Sequence, residues 1–254
     1  MPQIAAAGHR LEYAWIEGAK PTLVFLHEGL GSIRQWRDFP RNVAAATGCR
    51  ALVYDRYGYG NSDILQEPRV GVRFMHDAAL KELPDLLKNL AVENPILIGH
   101  SDGASIALIH AATFPVRGIA LMAPHVFVEE FNLNSIRKIA GGFETSGLKA
   151  GLAKYHRDPA KTFRLWADAW LDPEFLDWNI EETLPRVRCP LLAIQGETDE
   201  YGTMAQLAAI KRQVKGPCEL LELPKCGHSP HRDQPEKVLS AVTRFVSELS
   251  RTKP

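Results

Sequence analysis

The stretch 95–105, PILIGHSDGAS, sets Ser101 between Gly99 and Gly103 in a G-x-S-x-G pattern. An apolar run precedes the serine and small residues follow it, so it falls on a sharp turn from a strand into a helix. That turn holds the serine in strained backbone and thrusts its Oγ into the open, while the flanking glycines let strand and helix approach closely. A hydroxyl is a weak nucleophile unless a base takes its proton and a carboxylate orients the base. For a serine on a strand–turn–helix, the expected chain order is serine, acid, histidine. Gly196-Glu197-Thr198-Asp199-Glu200 follows one later apolar run, and Lys225-Cys226-Gly227-His228-Ser229-Pro230-His231 follows the next. Asp199 is the expected acid, with Glu197 and Glu200 as competitors that spacing does not wholly exclude. His228 is the expected base, because Gly227 marks a turn just beyond the run, and His231 is expected to stabilise the loop. The chemistry is acyl transfer: attack of Ser101 on a carbonyl, then hydrolysis of the acyl-enzyme.

Such a reaction also needs donors for its oxyanion. One expected donor is the backbone N–H of Asp102. The second comes from the loop His27-Glu28-Gly29-Leu30-Gly31, with the Gly29 N–H as candidate and Glu28 as runner-up. His27 is expected to brace that loop. Two carboxylates, Glu28 and Asp102, bracket the expected oxyanion position. They either bind a cationic or hydroxyl-bearing substrate group or hydrogen-bond the local loops. Gly58-Tyr59-Gly60-Asn61-Ser62 lacks the full dinucleotide fingerprint and the Walker lysine, and reads as a tight turn.

These residues need a frame. Apolar runs recur at TLVFLH (22–27), RALVYD (50–55), PILIGH (95–100), GIALMAP (118–124), PLLAIQG (190–196) and CELLELP (218–224). They are nearly continuous, as strands buried on both faces require. Helical patterns lie between them, at 36–46, at 75–90 with an interruption at Pro84, at 102–112, at 203–212 and at 235–249. Alternation with crossovers of this length implies an α/β fold with a mostly parallel central sheet and helices on both faces. Leu11 to Ile16 fits a leading antiparallel edge strand. From about Val126 to Leu184 no strand pattern is evident, yet the stretch holds three of the five tryptophans, Trp166, Trp170 and Trp178. It reads as an inserted helical cap over the carboxyl ends of the strands, where open α/β sheets bind ligands. The expected division is a core at 1–125 and 185–254 with a cap at 126–184. Trp166 and Trp170 are candidates for lining the substrate pocket.

Composition narrows the function classes. Lys+Arg and Asp+Glu stand at 30 each, so the basic excess of a nucleic-acid surface is missing. No run of 18 apolar residues suggests a membrane span. The N-terminus has no signal-peptide pattern. Cys49, Cys189, Cys218 and Cys226 lack metal-ligand spacing and read as free thiols in a reducing compartment. The expectation is a cytoplasmic enzyme acting on a small molecule without cofactor or metal. Its oligomeric state is not readable.

The segments LVFLHEG…W (23–36), YDRYGYGNSD (54–63), ILIGHSDGASIAL (96–108), LLAIQGETDE (191–200) and CGHSPHRDQPE (226–236) together resemble the α/β-hydrolase superfamily. Within it the chain is similar to small capped esterases, lactonases and carbon–carbon bond hydrolases. The resemblance implies that Ser101, Asp199 and His228 form the triad, that Gly29 and Asp102 supply the oxyanion amides, and that the cap occupies 126–184. The chain departs from the usual pattern in carrying His27-Glu28 where a His-Gly pair is common, and Asp102 where Met, Leu or Gln is frequent. Some relatives that hydrolyse amino-acid esters also carry Ser-Asp-Gly, and there the aspartate is linked to recognition of a substrate amine. The expected function is hydrolysis of a small ester or lactone. The alternatives are hydrolysis of a carbon–carbon bond in an aromatic ring-cleavage product, and a non-catalytic binding protein on the same scaffold.

Overall fold

The apolar runs become strands of one sheet. The computed structural model describes residues 1–251. It contains β1 (Gln3–Ala6), β2 (His9–Ile16), β3 (Ala19–Leu26), β4 (Cys49–Tyr54), β5 (Ile96–His100), β6 (Gly118–Met122), β7 (Leu191–Gly196) and β8 (Cys218–Leu223). Their order in the 8-stranded sheet is β1-β2-β4-β3-β5-β6-β7-β8. β1 pairs antiparallel with β2, and β2 with β4; from β4 to β8 all pairs are parallel. The expected edge strand at 11–16 is therefore second in the sheet, because β1 covers its outer side. β8 closes the opposite edge and is only half-buried along most of its length, unlike the fully buried β5, β6 and β7.

Alternate residues of each strand feed two separate cores. Leu23 and Phe25 pack with Val43 of helix Phe39–Thr47 and with Val242 and Val246 of helix Pro235–Arg251. Val24 and Leu26 face the other way, toward Met75 and Leu86, Leu108 of helix Asp102–Ala111, and Ile210 of helix Ala205–Gln213. Period-2 alternation with both faces apolar is what a doubly covered sheet demands. The helix expected over 75–90 forms in three pieces, Phe74–Asp77, a wider π turn at Ala78–Glu82, and Leu83–Asn89. Pro84 explains the interruption. It offers no N–H to the carbonyl four residues back, and its ring crowds that carbonyl, so the turn ahead of it widens.

Between β6 and β7 the chain leaves the sheet for an inserted helical region. Its main helices are Glu130–Gly142, Leu148–Leu152 and Pro159–Trp170. No strand forms there, and a single bridge between Phe127 and Asn179 joins its two ends. Trp170, Phe175 and Trp178 pack on one another at ring separations of 5.0–6.1 Å.

Strand order decides where a site can form. β4 lies on one side of β3 and β5 on the other, so the connections leaving β3 and β5 diverge from a common point. Such a switch point opens a crevice at the strands' carboxyl ends. Ser101 follows β5 there, and the loop from His27 follows β3.

Candidate active site

The elbow has the geometry its glycines allow. Ser101 sits at φ 53° and ψ −120°, a region costly for a residue with a Cβ. Its N–H donates to the Met122 carbonyl at 2.9 Å, and its own carbonyl accepts from Ala104 N–H at 2.8 Å. A Cβ on Gly103 would lie 2.0 Å from the Leu26 carbonyl oxygen, and one on Gly99 2.4 Å from that of Gly103. No side chain fits either position, so β3, β5 and the helix can meet only through these glycines.

Three loops deliver the triad. The Ser101 hydroxyl faces His228 Nε2 at 2.9 Å. His228 Nδ1 lies 2.8 and 2.9 Å from the two oxygens of Asp199. Asp199 is fixed in turn: Oδ2 accepts from Gln195 Nε2 at 2.6 Å and Oδ1 from the Tyr201 N–H at 2.7 Å. Asp199 is buried, whereas Glu197 and Glu200 are exposed. Glu200 instead accepts from the His228 backbone N–H at 3.2 Å. His231 is buried against Trp36, Phe39 and His100, with ring separations of 5.0–5.4 Å.

Beside Ser101 is a cavity of ≈ 140 Å³ lined by residues that include Glu28, Gly29, Leu30, Asp102, Asn132, Ile136, Trp166 and Trp170. The loops that follow the strands supply its floor and the inserted helices its roof. Trp170 Nε1 donates to Asp102 Oδ1 at 3.2 Å, while Oδ2 of the fully buried Asp102 has no partner. Asn132 is buried too, and neither its Oδ1 nor its Nδ2 is partnered. Trp166 closes over Gly29: a Cβ there would lie 2.2 Å from the indole. The Glu28 carboxylate turns toward the loops, with Oε1 3.2 Å from Arg232 and Oε2 3.4 Å from His100 Nδ1. Its backbone carbonyl accepts from Gly31 N–H at 3.0 Å, His27 Nδ1 at 2.7 Å and Arg56 at 2.9 Å.

A serine on a strained elbow, hydrogen-bonded to a histidine that is held by a buried aspartate, on a parallel sheet with a helical insertion, calls for comparison with known proteins. Residues 23–241 match the model of the alpha/beta hydrolase family. The chain belongs to that family. It is 31% identical over 188 residues to serine hydrolase BPHL of Homo sapiens, covering 71% of this chain and 63% of the human protein's length. It is 25% identical over 256 residues to the 2-(acetamidomethylene)succinate hydrolase of Mesorhizobium japonicum, covering 91% and 89% of the two. In fold it is similar to the enol-lactonase from Burkholderia xenovorans LB400, with a TM-score of 0.77, 18% identity, and coverage of 97% and 100%.

The protonation states in this hydrolase follow from its contacts. Burial works to lower the His228 pKa, but the hydrogen bond and charge of Asp199 outweigh it, and the imidazole ends above its ordinary value of 6.5. Burial of Asp199 is outweighed likewise by His228, and its carboxyl stays below the usual carboxylate value. A base must be neutral to accept the Ser101 proton, so activity falls as pH drops through the His228 pKa. The acid limb of kcat/KM is therefore expected at a midpoint above 6.5. A profile of a non-ionising ester with its midpoint below that value would contradict this assignment. His125, also in the cavity wall, is pushed down to about 3 by burial and by His228, and stays neutral.

Several wall residues carry no sequence signal. Asn132, His125 and Tyr201 reach the cavity from the first inserted helix, the loop after β6 and the loop after β7. Arg56 could have been suspected from its place in the turn after β4. Its hold on the Glu28 carbonyl could not. Among the described residues no group of three or more His, Cys, Asp or Glu is placed to hold a metal ion. No helix among them is long and apolar enough to cross a membrane.

Proposed function

We propose that this hydrolase cleaves a small carboxylic ester or lactone bearing a cationic or hydroxyl group near the reacting carbonyl. The observation that carries the reading is a cavity beside Ser101 with apolar walls and unpaired polar atoms on Asp102 and Asn132. A buried polar atom without a partner costs about 1–3 kcal/mol, which a substrate group placed against it recovers. Burial raises the Asp102 carboxyl above its ordinary value, with Arg56 and the Trp170 hydrogen bond opposing. An ammonium group beside it would favour the charged form further.

The steps use this chain's own groups. His228 takes the Ser101 proton as Oγ attacks the carbonyl carbon, and the amides of Asp102 and Gly29 receive the oxyanion. His228 then protonates the leaving alcohol, and a water activated by the same ring releases the acid. The case for Gly29 rests on peptide planarity. In a trans peptide the Glu28 carbonyl and the Gly29 N–H point in opposite directions. Three donors hold that carbonyl away from the cavity, which aims the N–H the other way. The Asp102 N–H belongs to the first turn of its helix and lacks an intrahelical acceptor. Residues 126–184 act as the cap over a core of 1–125 and 185–254, which would make the roof the variable part of specificity. Trp166 and Trp170 pack along the apolar part of the substrate.

A panel of p-nitrophenyl esters, lactones and amino-acid esters tests the reading. Asp102→Asn is expected to lower kcat/KM for amino-acid esters about tenfold to a hundredfold relative to neutral isosteres, the range of one charge-assisted hydrogen bond. An unchanged ratio would sink the recognition role of Asp102. Cleavage of a dienone ring-fission product without any ester turnover would move the assignment to carbon–carbon bond hydrolysis.

A further inference from the structure

We propose that Glu28 and His100 act as a positioning pair that holds the nucleophile, the oxyanion loop and the base in one register. Each is the immediate neighbour of a working residue: Glu28 precedes Gly29, and His100 precedes Ser101. The ring of His100 bridges to the third partner, with Nε2 2.7 Å from the backbone carbonyl of His228. A carbonyl only accepts, so Nε2 carries a proton. Nδ1 then faces Glu28 Oε2 at 3.4 Å.

The second carboxylate oxygen extends the tie. Arg232, in the short helix just after His228, lies 3.2 Å from Glu28 Oε1 and also donates to the Gln35 carbonyl at 2.8 Å. One carboxylate and one imidazole thus connect the loops that follow β3, β5 and β8. Burial alone would raise the Glu28 carboxyl, but His100 and Arg232 hold it well below its ordinary value. The other titratable rings facing His100 are those of His228 at 5.3 Å and His231 at 5.0 Å. His231 is held neutral, its pKa pushed down to about 2 by burial and by His100.

A buried polar contact of this kind contributes little net stability against well-packed apolar residues. Its effect is on geometry. The His228 carbonyl fixes the backbone from which the base projects. Both ends of Glu28 are clamped, the carbonyl by His27, Gly31 and Arg56 and the carboxylate by His100 and Arg232. The Gly29 N–H is thereby left one orientation. Misplacement of a reacting group by about 1 Å can cost on the order of a hundredfold in rate.

The pair can be tested by the rate at which a fluorophosphonate labels Ser101. In that reaction the Oγ–P bond forms, the P–F bond breaks, fluoride leaves and His228 takes the serine proton. No acyl substrate is involved, so the result stands apart from the ester reading, although it rests on Ser101 and His228 acting together. Glu28→Gln and His100→Leu are each expected to lower kinact about tenfold to a hundredfold with little change in KI. His100→Gln, whose amide N–H can reach the same carbonyl, is expected to recover most of the loss. The double variant Glu28→Gln/His100→Leu should fall no further than the worse single one, because both act through one contact. Wild-type kinact in Glu28→Gln, or in a folded His100→Leu, would overturn the proposal. So would losses that multiply as for independent sites, or a fall in Tm with kinact unchanged. Should His100→Leu not fold, Glu28→Gln decides alone.

Discussion

Ser101→Ala is expected to lower kcat by about 10⁶-fold, the scale seen when a triad nucleophile is removed. The variant keeps the oxyanion amides, the cavity and the His228–Asp199 pair, and loses only Oγ. Residual rate would come from binding and oxyanion stabilisation alone, about 10³–10⁴ above water. Alanine pays the same backbone cost as serine at φ 53°, so Tm should move little. Substrate affinity should survive, because the groups that meet the substrate's remote parts are untouched. Stopped assays of an activated ester read the effect directly, and an initial burst in the wild type should vanish in the variant. Equal catalysed rates in the two proteins would mean that Ser101 is not the nucleophile, and no rate above the uncatalysed one in either would revive the reading of the scaffold as a binding protein.

How far the sequence reached depends on what each feature needs. The strands after 22, 50, 95, 118 and 190 were legible because a sheet covered on both faces requires nearly continuous apolar runs. β1 was not, since Gln3–Ala6 is a four-residue edge strand in which only Ala6 is buried. The π turn at Ala78–Glu82 left only Pro84 as a trace, because period-3.6 patterning does not distinguish one widened turn. Ser101, Asp199 and His228 were legible from turn chemistry and chain order, and these depend on local residues. Asn132 was not: its place in the cavity wall depends on how helix Glu130–Gly142 packs against helix Pro159–Trp170. The roles of Glu28 and Asp102 could be narrowed only with partners in view. Glu28 is taken up by Arg232 and His100, while one oxygen of Asp102 remains without a partner.

Asp199→Asn is expected to cost about 10⁴-fold in kcat while leaving the fold and KM nearly intact. Three donors converge on this carboxylate: His228 Nδ1, Gln195 Nε2 and the Tyr201 N–H. An ionised carboxylate accepts all of them, but an amide has one oxygen and one NH₂ group. With its oxygen toward Gln195, the asparagine sets NH₂ against the Tyr201 N–H; reversed, it sets NH₂ against Gln195. Because His228 Nδ1 touches both positions, the NH₂ group faces the ring in either orientation. The ring relieves that clash by moving its proton to Nε2, which then cannot accept from Ser101. The same substitution removes the charge that holds the His228 pKa up, so the acid limb of the small remaining activity should shift to lower pH. A loss of rate without that shift would place the damage in loop geometry rather than in the tautomer. Asp199→Glu retains the charge but lengthens the side chain, and so provides the control: the acid limb should stay near the wild-type position even where the rate falls.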